Sequence, residues 1–279
     1  MILAPLRGVT TRCFRETFAN EIAQAGFTEV VTPFVSITCG VDPLKDREIK
    51  TLNSRLSPLN VLTTPQFIGK DPEALRVALE RIKSAGYATA DLNCGCPFPM
   101  VRNKGRGSGL LRTPDVLRRM IEVGCEVMGD GAFSIKARLG IDRPDELLAL
   151  MPMLNCFPLR RLVVHARTAR QMYEGACDHA AFDAIASIAA MPVVYNGDAA
   201  LGDADAMVGR AFIRYLGARE DAGELLDRYV AASLEELGHE RHVIGRIKEL
   251  VAYWREIPRW GRIWPIIKIS RSLNELKIW

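Results

Sequence analysis

The segment of this sequence best suited to chemistry contains two cysteines. Residues 91–97 read Asp-Leu-Asn-Cys-Gly-Cys-Pro, which places Cys94 and Cys96 on either side of one glycine. The residues before this segment are typical of a short buried strand, and a glycine-rich basic loop, residues 104–109, follows it. Free cysteines are often small buried hydrophobic residues. Gly95 and Pro97, however, fix a backbone shape that core packing does not require, so we interpret the segment as a thiol site under a mobile loop.

The composition is that of an ordinary globular protein. The chain has 279 residues, of which 48% are apolar and 25% charged, so it can form one large domain, or one large and one small domain. No apolar run approaches the ~20 residues of a membrane span, and the first residues lack the features of a signal peptide. Seven cysteines without an export signal predict reduced thiols in a cytoplasmic protein. We expect no metal site, because no second closely spaced pair of ligands accompanies the two cysteines.

Short apolar runs alternate with helical patterns along the first three quarters of the chain. This alternation predicts parallel βαβ units, and eight candidate strands predict a TIM (β/α)8 barrel, whose chemistry is found at the carboxyl ends of the strands. The candidate strands are residues 2–4, 29–34, 61–68, 88–93, 133–139, 161–165, 192–196 and 206–209. The clearest helical patterns between them are residues 71–85, 114–127, 142–154 and 182–190.

Polar residues cluster at the ends of six of these strands. Taken alone, Lys136 could be a strand-end lysine that reaches solvent, and His165 could be a core histidine with its hydrogen bonds satisfied. The convergence of six strand ends on one face of a barrel favours a binding site instead. These residues are Gln66, Asn93, Lys136, Arg138, His165, Arg167, Asn196, Gly197, Asp198, Gly209 and Arg210.

The connection between the seventh and eighth candidate strands is short. About eight residues, 197–204, lie between them, whereas a parallel crossover with its helix usually needs at least ~10–12. Residues 199–202 can form one turn at most before Gly202 ends it. We therefore predict a barrel that lacks its seventh outer helix.

Beyond residue 218 the pattern becomes helical, with helices expected over residues 220–237 and 242–254. Residues 240–279 contain nine Lys or Arg against four Glu, on a chain whose formal net charge is only +4. A basic tail on a near-neutral body suggests a polyanionic partner, although a solvated helix face would show the same charges. We expect two domains, residues 1–218 and residues 219–279.

In the order and positions of its motifs, the chain resembles the tRNA-dihydrouridine synthase family. The resemblance covers most of the chain, and the Asn-Cys-Gly-Cys-Pro form is most similar to the bacterial branch that acts on position 16 of the D loop. The motifs that carry it are residues 4–10, 66–69, 91–97, 108–111, 136–140, 164–168, 173–175, 196–198, 209–210 and, in the tail, 242–248.

The resemblance implies an FMN-binding TIM barrel with a C-terminal tRNA-binding domain. NADPH would reduce the flavin, the flavin would give a hydride to C6 of a uridine, and a cysteine would protonate C5. That cysteine would be Cys96, which directly precedes the proline, rather than Cys94. The implied cofactor residues are Pro5, Leu6, Arg7, Gln66, Lys136, His165, Asn196, Gly197, Asp198, Gly209 and Arg210; the implied substrate or RNA residues are Asn93, Arg138, Arg167, Arg246 and Lys248.

Two other functions stay open at this point. One is an FMN barrel that reduces a free pyrimidine, which the basic tail disfavours. The other is a tRNA-binding paralogue with impaired catalysis, which the short connection before the eighth strand would explain. The chain also departs from the family pattern at Arg7 and at residues 98–100, Phe-Pro-Met, which follow the Cys96–Pro97 pair. We expect a monomer.

Overall fold

The fold is described from a computed structural model, which covers residues 1–49, 55–56 (backbone only) and 60–276. Within these residues, eleven strands form one sheet, and each pairing is parallel except that of β4 with β5. The strands are β1 (Ile2–Leu3), β2 (Glu29–Val31), β3 (Val35–Ser36), β4 (Arg55–Leu56), β5 (Val61–Thr64), β6 (Gln66–Ile68), β7 (Ala90–Cys94), β8 (Phe133–Gly140), β9 (Arg161–Thr168), β10 (Val193–Asn196) and β11 (Ala206–Val208).

The sheet closes into a barrel because β5 and β6 are one strand interrupted at Pro65. Proline has no N–H for the hydrogen-bond ladder, so the strand is interrupted at residue 65. The first half, β5, pairs with β2, and the second half, β6, pairs with β7. From β7 the order continues through β8, β9, β10 and β11 to β1, which pairs with both β11 and β2. The ring therefore contains eight parallel strands, counting β5 and β6 as one, and the predicted TIM barrel is confirmed.

Helices surround the barrel and continue beyond it. The described helices are α1 (Arg12–Thr17), α2 (Ala19–Gln24), α3 (Pro72–Ser84), α4 (Pro99–Arg102), α5 (Pro114–Met128), α6 (Glu146–Leu154), α7 (His179–Ile188), α8 (Arg210–Ala218), α9 (Ala222–Leu237), α10 (Glu240–Val251), α11 (Pro258–Ile269) and α12 (Leu273–Leu276), with 3-10 turns at Pro43–Lys45 and Gly107–Arg112. Helix α6 begins four residues later than the predicted start at Asp142. The Glu146 carboxylate accepts hydrogen bonds from the N–H groups of Ile141, Asp142 and Arg143, which holds the preceding residues in a loop.

The connection between β10 and β11 contains no helix, as the sequence predicted. Residues 197–205 form bends and turns, in which Ala200 N–H donates to the Asp203 carboxylate at 2.8 Å and Ala206 N–H donates to the Asp203 carbonyl at 3.1 Å. Ile188, at the end of the preceding helix α7, is exposed. The outer ring of helices is thus interrupted beside β10.

Two apolar cores lie outside the barrel wall. One is built from β6 to β9 against α3, α5 and α6; the other is built from β1, β2 and β11 against α1 and helices α8 to α12. In the second core, Trp254 and Trp260 are buried with ring centroids 4.7 Å apart, and their indole N–H groups donate to the carbonyls of Ile213 and Gly217 on α8. The boundary expected between residues 218 and 219 therefore separates helices that share one core. Residues 277–279 of the expected second domain lie outside the described residues.

None of the helices in the described part of the chain is long and apolar enough to span a membrane.

Candidate active site

Polar side chains from five strands gather at the carboxyl end of the barrel. Asn93 is in register with Lys136, and His165 is in register with Asn196. Gln66 joins them because the Asn93 side-chain amide donates to Gln66 Oε1 at 2.8 Å. Residues in register on parallel strands point to the same face of a sheet. We call these five residues the barrel mouth; their convergence was expected from the sequence.

Cys96 lies in a turn in which the backbone N–H and carbonyl groups of Gly95 and Cys96 are hydrogen-bonded. Asn93 Oδ1 accepts from the N–H groups of Gly95 (3.1 Å) and Cys96 (2.8 Å). The Cys96 carbonyl accepts from Ser108 twice, from its N–H at 3.1 Å and from its hydroxyl at 2.9 Å. The Gly95 carbonyl accepts from Arg138 Nε at 3.0 Å. These contacts fix the Cys96 turn (residues 95–97) beside the barrel mouth.

The surroundings of the Cys96 thiol favour its protonated form at neutral pH. Its side chain is buried, and burial raises its pKa above the ordinary value, partly offset by a hydrogen bond from the Phe98 backbone and by the cations Arg7 and Arg138. A protonated thiol can donate a proton, and the nearby cations stabilise the thiolate that remains. Cys96 therefore has the properties of a general acid.

Cys94 differs from Cys96 in the face of the sheet on which it lies. It lies on β7 directly after Asn93, so it points to the opposite face of the sheet and packs in the outer apolar core. Burial raises the pKa of the Cys94 thiol well above its ordinary value. Cys94 is thus a core residue, which supports the choice of Cys96 between the two.

The glycine-rich loop lies directly on the Cys96 turn. Gly107 has a φ of +58°, and a Cβ atom at this position would lie 2.8 Å from Cys96 Cβ and 3.0 Å from the Cys96 carbonyl oxygen. Only glycine allows both this conformation and this approach. The following residues, Ser108 to Leu111, are buried, so the loop packs against the backbone and Cβ of Cys96. Two apolar residues beyond Cys96, Phe98 and Met100, are exposed at the surface.

Lys136 forms no ion pair with any of the residues that the structure describes. Its Nζ donates to the neutral amide oxygen of Asn196 at 2.8 Å, and the Asn196 amide donates to the Met207 carbonyl. Burial and the charge of Arg138 lower the pKa of Lys136 to about 7, while Asp91 acts in the opposite direction. An anion bound at the barrel mouth would restore the charge of this lysine.

His165 is a neutral side chain surrounded by cations. Burial, followed by the charges of Arg138, Lys136, Arg167 and Arg210, holds its pKa far below the ordinary value. Arg167 Nη1 lies 3.2 Å from His165 Nε2. Because the guanidinium can only donate, Nε2 accepts and the ring proton is on Nδ1. His165 can therefore offer a hydrogen bond from Nδ1 but cannot act as a cationic acid.

The two strand-end arginines with an expected RNA role are buried. Arg138 donates to the Thr168 carbonyl at 2.9 Å and lies 5.3 Å from the centroid of the Tyr173 ring. Arg167 donates twice to the Gly175 carbonyl, at 3.1 Å and 2.9 Å. Both hold the loop that follows β9 against the barrel, and a direct contact with RNA stays a prediction.

The ends of β10 and β11 lie next to each other. Arg210 Nη2 is 3.5 Å from the Gly197 carbonyl, and Arg210 is the first residue of α8, so a helix N-terminus faces this edge. A Cβ atom on Gly209 would lie 3.3 Å from Ala4 Cβ, which explains the glycine. The Asp198 carboxylate accepts a hydrogen bond from the Tyr195 hydroxyl and lies 4.0 Å from His179. Asp198 could therefore contact a bound anion only through its backbone.

The end of the first strand forms the remaining edge of the site. Leu6 lies next to Gly209, where a Cβ atom would meet its methyl groups at 3.7 and 3.8 Å. The Arg7 guanidinium lies 5.4 Å from the centroid of the Phe34 ring, and Arg7 is exposed while Pro5 is partly buried. Of these three expected cofactor residues, Leu6 thus lies beside the β11 end, and Arg7 lies against Phe34.

One polar residue of this region was not selected from the sequence. Asp91 lies inside the barrel, fully buried, and its Oδ2 accepts from Gln66 Nε2 at 2.7 Å. Gln66 is also fully buried and is held between Asp91 and Asn93. A signal was present, since an acid two residues before Asn93 in a buried strand must face the same interior.

The two tail cations selected from the sequence make contacts within the chain. Arg246 forms an ion pair with Glu236 at 2.7 Å and lies 3.4 Å from the Ser233 hydroxyl. Lys248 Nζ donates to the Ser270 carbonyl at 2.6 Å. These bonds join α10 to α9 and to the end of α11, so any contact of these residues with RNA stays a prediction. No group of three or more His, Cys, Asp or Glu among the described residues could hold a metal ion.

Comparison with protein families gives a match over most of the chain. The family model described as dihydrouridine synthase matches residues 2–210. Relatives include a tRNA-dihydrouridine synthase B from Pseudomonas aeruginosa, 29% identical over 71% of this chain and 58% of its own length. Two proteins named tRNA-dihydrouridine(16) synthase are each 30% identical: one from Ralstonia nicotianae (76% of this chain, 69% of that protein) and one from Cupriavidus necator (95% and 89%).

Solved structures with a similar fold have low sequence identity to this chain. An old yellow enzyme homologue from Zymomonas mobilis matches with a TM-score of 0.56 and 15% identity, over 77% of this chain and 85% of that one. Morphinone reductase in complex with tetrahydroNAD matches with a TM-score of 0.54 and 13% identity, over 77% and 83%. At these identities the similarity shows the barrel fold alone.

Proposed function

Because the chain belongs to the dihydrouridine synthase family, we propose that it reduces a uridine of tRNA to 5,6-dihydrouridine, with FMN as cofactor and NADPH as reductant. The observation that carries this proposal is the buried Cys96 thiol, held in a hydrogen-bonded turn beside the barrel mouth and close to the cations Arg7 and Arg138. The substrate position we propose is uridine 16 of the D loop. Support for it comes from the two relatives named for that position, one of which is matched over 89% of its length.

The residues in and around the barrel mouth fit FMN in charge. Lys136, Arg138, Arg167 and Arg210 all act electrostatically on His165. Of the acids near them, Asp91 is engaged by Gln66 and Asp198 by Tyr195. An excess of positive charge suits a ligand that carries a phosphate and a ring able to become anionic. The residues that would hold it are Pro5, Leu6, Arg7, Gln66, Lys136, His165, Asn196, Gly197, Asp198, Gly209 and Arg210.

Bound FMN would supply the hydride that adds to C6 of the uracil ring. Cys96 would donate its proton to C5, and Arg7 and Arg138 would stabilise the resulting thiolate until it is protonated again. The target base would have to leave its stack to reach this thiol, and Asn93 would contact the base or the flavin. Lys136 would keep a positive charge at the barrel mouth. Neutral His165 would serve as a hydrogen-bond donor.

We assign residues 1–218 to cofactor binding and catalysis and residues 219–279 to tRNA binding. Arg262 and Lys268 on α11 are exposed cations of this tail, whereas Arg246 and Lys248 are engaged within the chain. Phosphate contacts release counterions, so tRNA affinity should fall steeply with salt. Changing Arg262 and Lys268 together to Gln should weaken binding and flatten the salt dependence. Arg119 and Arg143, exposed on the barrel, provide the matched control pair.

The direct test is product formation by the purified protein. Unmodified tRNA, FMN and NADPH are incubated with the protein, and dihydrouridine is located in the digested tRNA by mass spectrometry. We expect dihydrouridine at position 16. Product from free uracil or uridine but none from tRNA would favour the free-pyrimidine oxidoreductase. Salt-sensitive tRNA binding without any product would favour the catalytically impaired binding protein.

A further inference from the structure

Asp91 is a fully buried acid that the proposed chemistry does not use. It lies on β7 two residues before Asn93, and both side chains point into the barrel. Its Oδ2 accepts a hydrogen bond from Gln66, while its Oδ1 has no partner among the described residues. A buried carboxyl group with one unsatisfied oxygen is costly, so its presence calls for a physical reason.

Two side-chain amides connect Asp91 to the Cys96 turn by hydrogen bonds. Gln66 Nε2 donates to Asp91, Asn93 Nδ2 donates to Gln66 Oε1, and Asn93 Oδ1 accepts from the N–H groups of Gly95 and Cys96. We call these three side chains the Asp91–Gln66–Asn93 chain. The longest of its four bonds is 3.1 Å and the shortest 2.7 Å. None of the three side chains is exposed to bulk solvent by more than 8%.

The two ends of the Asp91–Gln66–Asn93 chain fix the orientation of its two amides, those of Gln66 and Asn93. At the turn, two backbone N–H groups require an acceptor, so Asn93 must present its oxygen there and its nitrogen to Gln66. Gln66 must then present its oxygen to Asn93 and its nitrogen to residue 91. Residue 91 must therefore be an acceptor. Without it, the Gln66 amide loses the acceptor for its nitrogen and can rotate, and a rotated Gln66 would present a donor to the Asn93 nitrogen, so that Asn93 is held only by the turn itself.

We propose that Asp91 is a positioning residue that, through Gln66 and Asn93, fixes the orientation of the Cys96 turn. Asp91 touches neither the thiol nor, on the proposed function, the substrate. It acts by leaving a single arrangement of two amides, so that the thiol is held where it can reach a bound base. The effect on uridine reduction rests on the proposed function; the effect on the thiol does not.

The proposal requires an acceptor at residue 91, not a negative charge. Burial raises the pKa of Asp91 to about 6, against the opposing effect of the Gln66 hydrogen bond. When Asp91 is protonated, the proton can occupy Oδ1, which has no partner, while Oδ2 still accepts from Gln66. An asparagine can do the same, with its oxygen towards Gln66. A leucine has the same branching but no acceptor.

The test compares Asp91→Asn with Asp91→Leu in the full-length protein. The first measurement is kcat and KM for tRNA, with NADPH-dependent flavin reduction followed separately. We expect Asp91→Leu to lose about 10- to 100-fold in kcat with little change in KM, since small displacements of a reacting group have effects of this size. Asp91→Asn should stay close to the unchanged protein.

The second measurement is the rate at which iodoacetamide alkylates Cys96, located by fragmenting the peptide that contains both Cys94 and Cys96. Asp91→Leu should alkylate severalfold faster at Cys96, because the buried thiol is less firmly held, while Asp91→Asn should not. This readout needs no tRNA and no reaction, so it distinguishes failure of this inference from failure of the proposed function. Thermal unfolding of both variants controls for general loss of structure.

The inference stands only if Asp91→Leu differs from the unchanged protein in Cys96 alkylation while Asp91→Asn does not. If both variants show the same change in kcat and in Cys96 alkylation, the charge of Asp91 matters and the inference is overturned. If Asp91→Leu matches the unchanged protein in both measurements, residue 91 has no influence on the turn and the inference is also overturned. If Asp91→Leu does not fold, Asp91→Ala removes the same acceptor with less bulk and is judged by the same criterion.

Discussion

Binding of FMN should become weaker as the pH rises above neutrality, and Lys136 should be the cause. In the free protein, burial and the charge of Arg138 lower the pKa of Lys136 to about 7. An anionic cofactor would supply the missing counter-charge and keep Lys136 protonated in the complex. Binding above that pKa therefore requires the uptake of a proton.

The size of the effect follows from the pKa by linkage. If only the protonated lysine binds, the Kd of FMN scales as 1 + 10^(pH − pKa), which is an increase of about 50-fold from pH 7 to pH 9 and of only about twofold from pH 6 to pH 7. At pH 8 about 0.9 protons should be taken up per FMN bound. The direction is fixed: the free protein loses the proton at a lower pH than the complex, so rising pH favours the free protein.

Flavin fluorescence quenching at several pH values gives the Kd, and calorimetry in two buffers of different ionisation enthalpy gives the proton uptake. Lys136→Met should bind FMN with a Kd that hardly changes over the same range. Arg210→Gln, which removes a different cation of the site, should weaken binding but keep the pH dependence. A Kd for the unchanged protein that varies by less than about threefold between pH 7 and pH 9 would refute the reasoning.

The same lysine should affect the stability of the free protein. Between pH 7 and its ordinary pKa of about 10.5, the unfolded chain binds more protons at this position than the folded chain, so the free energy of unfolding should rise with pH. A shift from 10.5 to about 7 corresponds to at most ~5 kcal/mol. The measured rise should be smaller, because Lys136 is partly exposed and solvent screens its charge.

Three further predictions follow from single contacts. Ser108→Ala removes the hydrogen bond from the Ser108 hydroxyl to the Cys96 carbonyl but keeps the bond from the Ser108 N–H. It should lower the free energy of unfolding, measured in urea, by about 1 kcal/mol and should increase the rate of Cys96 alkylation. An unchanged alkylation rate would contradict the role of the loop. Asp91→Asn removes a carboxyl group whose pKa is raised from 3.8 to about 6. This variant should be more stable than the unchanged protein by up to roughly 3 kcal/mol above pH 6. The gain should vanish below about pH 3, where the acid is neutral in both the folded and the unfolded state, and a gain that persists there would exclude this cause. Because no helix supports the β10–β11 connection, FMN should be bound weakly. Protein purified without added FMN should be partly colourless, and its melting temperature should rise when FMN is added. Stoichiometric flavin that remains after long dialysis would contradict this prediction.

The barrel and its active end could be predicted from the sequence because they depend on local patterns. Alternation of apolar strands with helices specifies the fold, and strand ends specify where the polar residues meet. The missing helix beside β10 was predictable from chain length alone. The choice of Cys96 over Cys94 agrees with alternation along β7, since Asn93 points inward and Cys94 outward.

What the sequence could not give were the long-range partners of charged residues. Arg138 and Arg167 have the side-chain types of RNA contacts, yet their guanidinium groups donate to backbone carbonyls: Arg138 to those of Gly95 and Thr168, and Arg167 to that of Gly175. Arg246 and Lys248 likewise depend on Glu236 and Ser270, whose positions follow only from helix packing. Side-chain hydrogen bonds of this kind are set by tertiary structure and leave no periodic signal.

The most direct test of the account is single-turnover reduction of tRNA by Cys96→Ala and Cys94→Ala, with the flavin reduced by NADPH beforehand. The account predicts that Cys96→Ala still binds FMN and still accepts electrons from NADPH but forms little or no dihydrouridine. Cys94→Ala, whose thiol lies in the outer core, should form dihydrouridine at nearly the rate of the unchanged protein. An active Cys96→Ala variant together with an inactive Cys94→Ala variant would contradict the assignment of Cys96 as the proton donor.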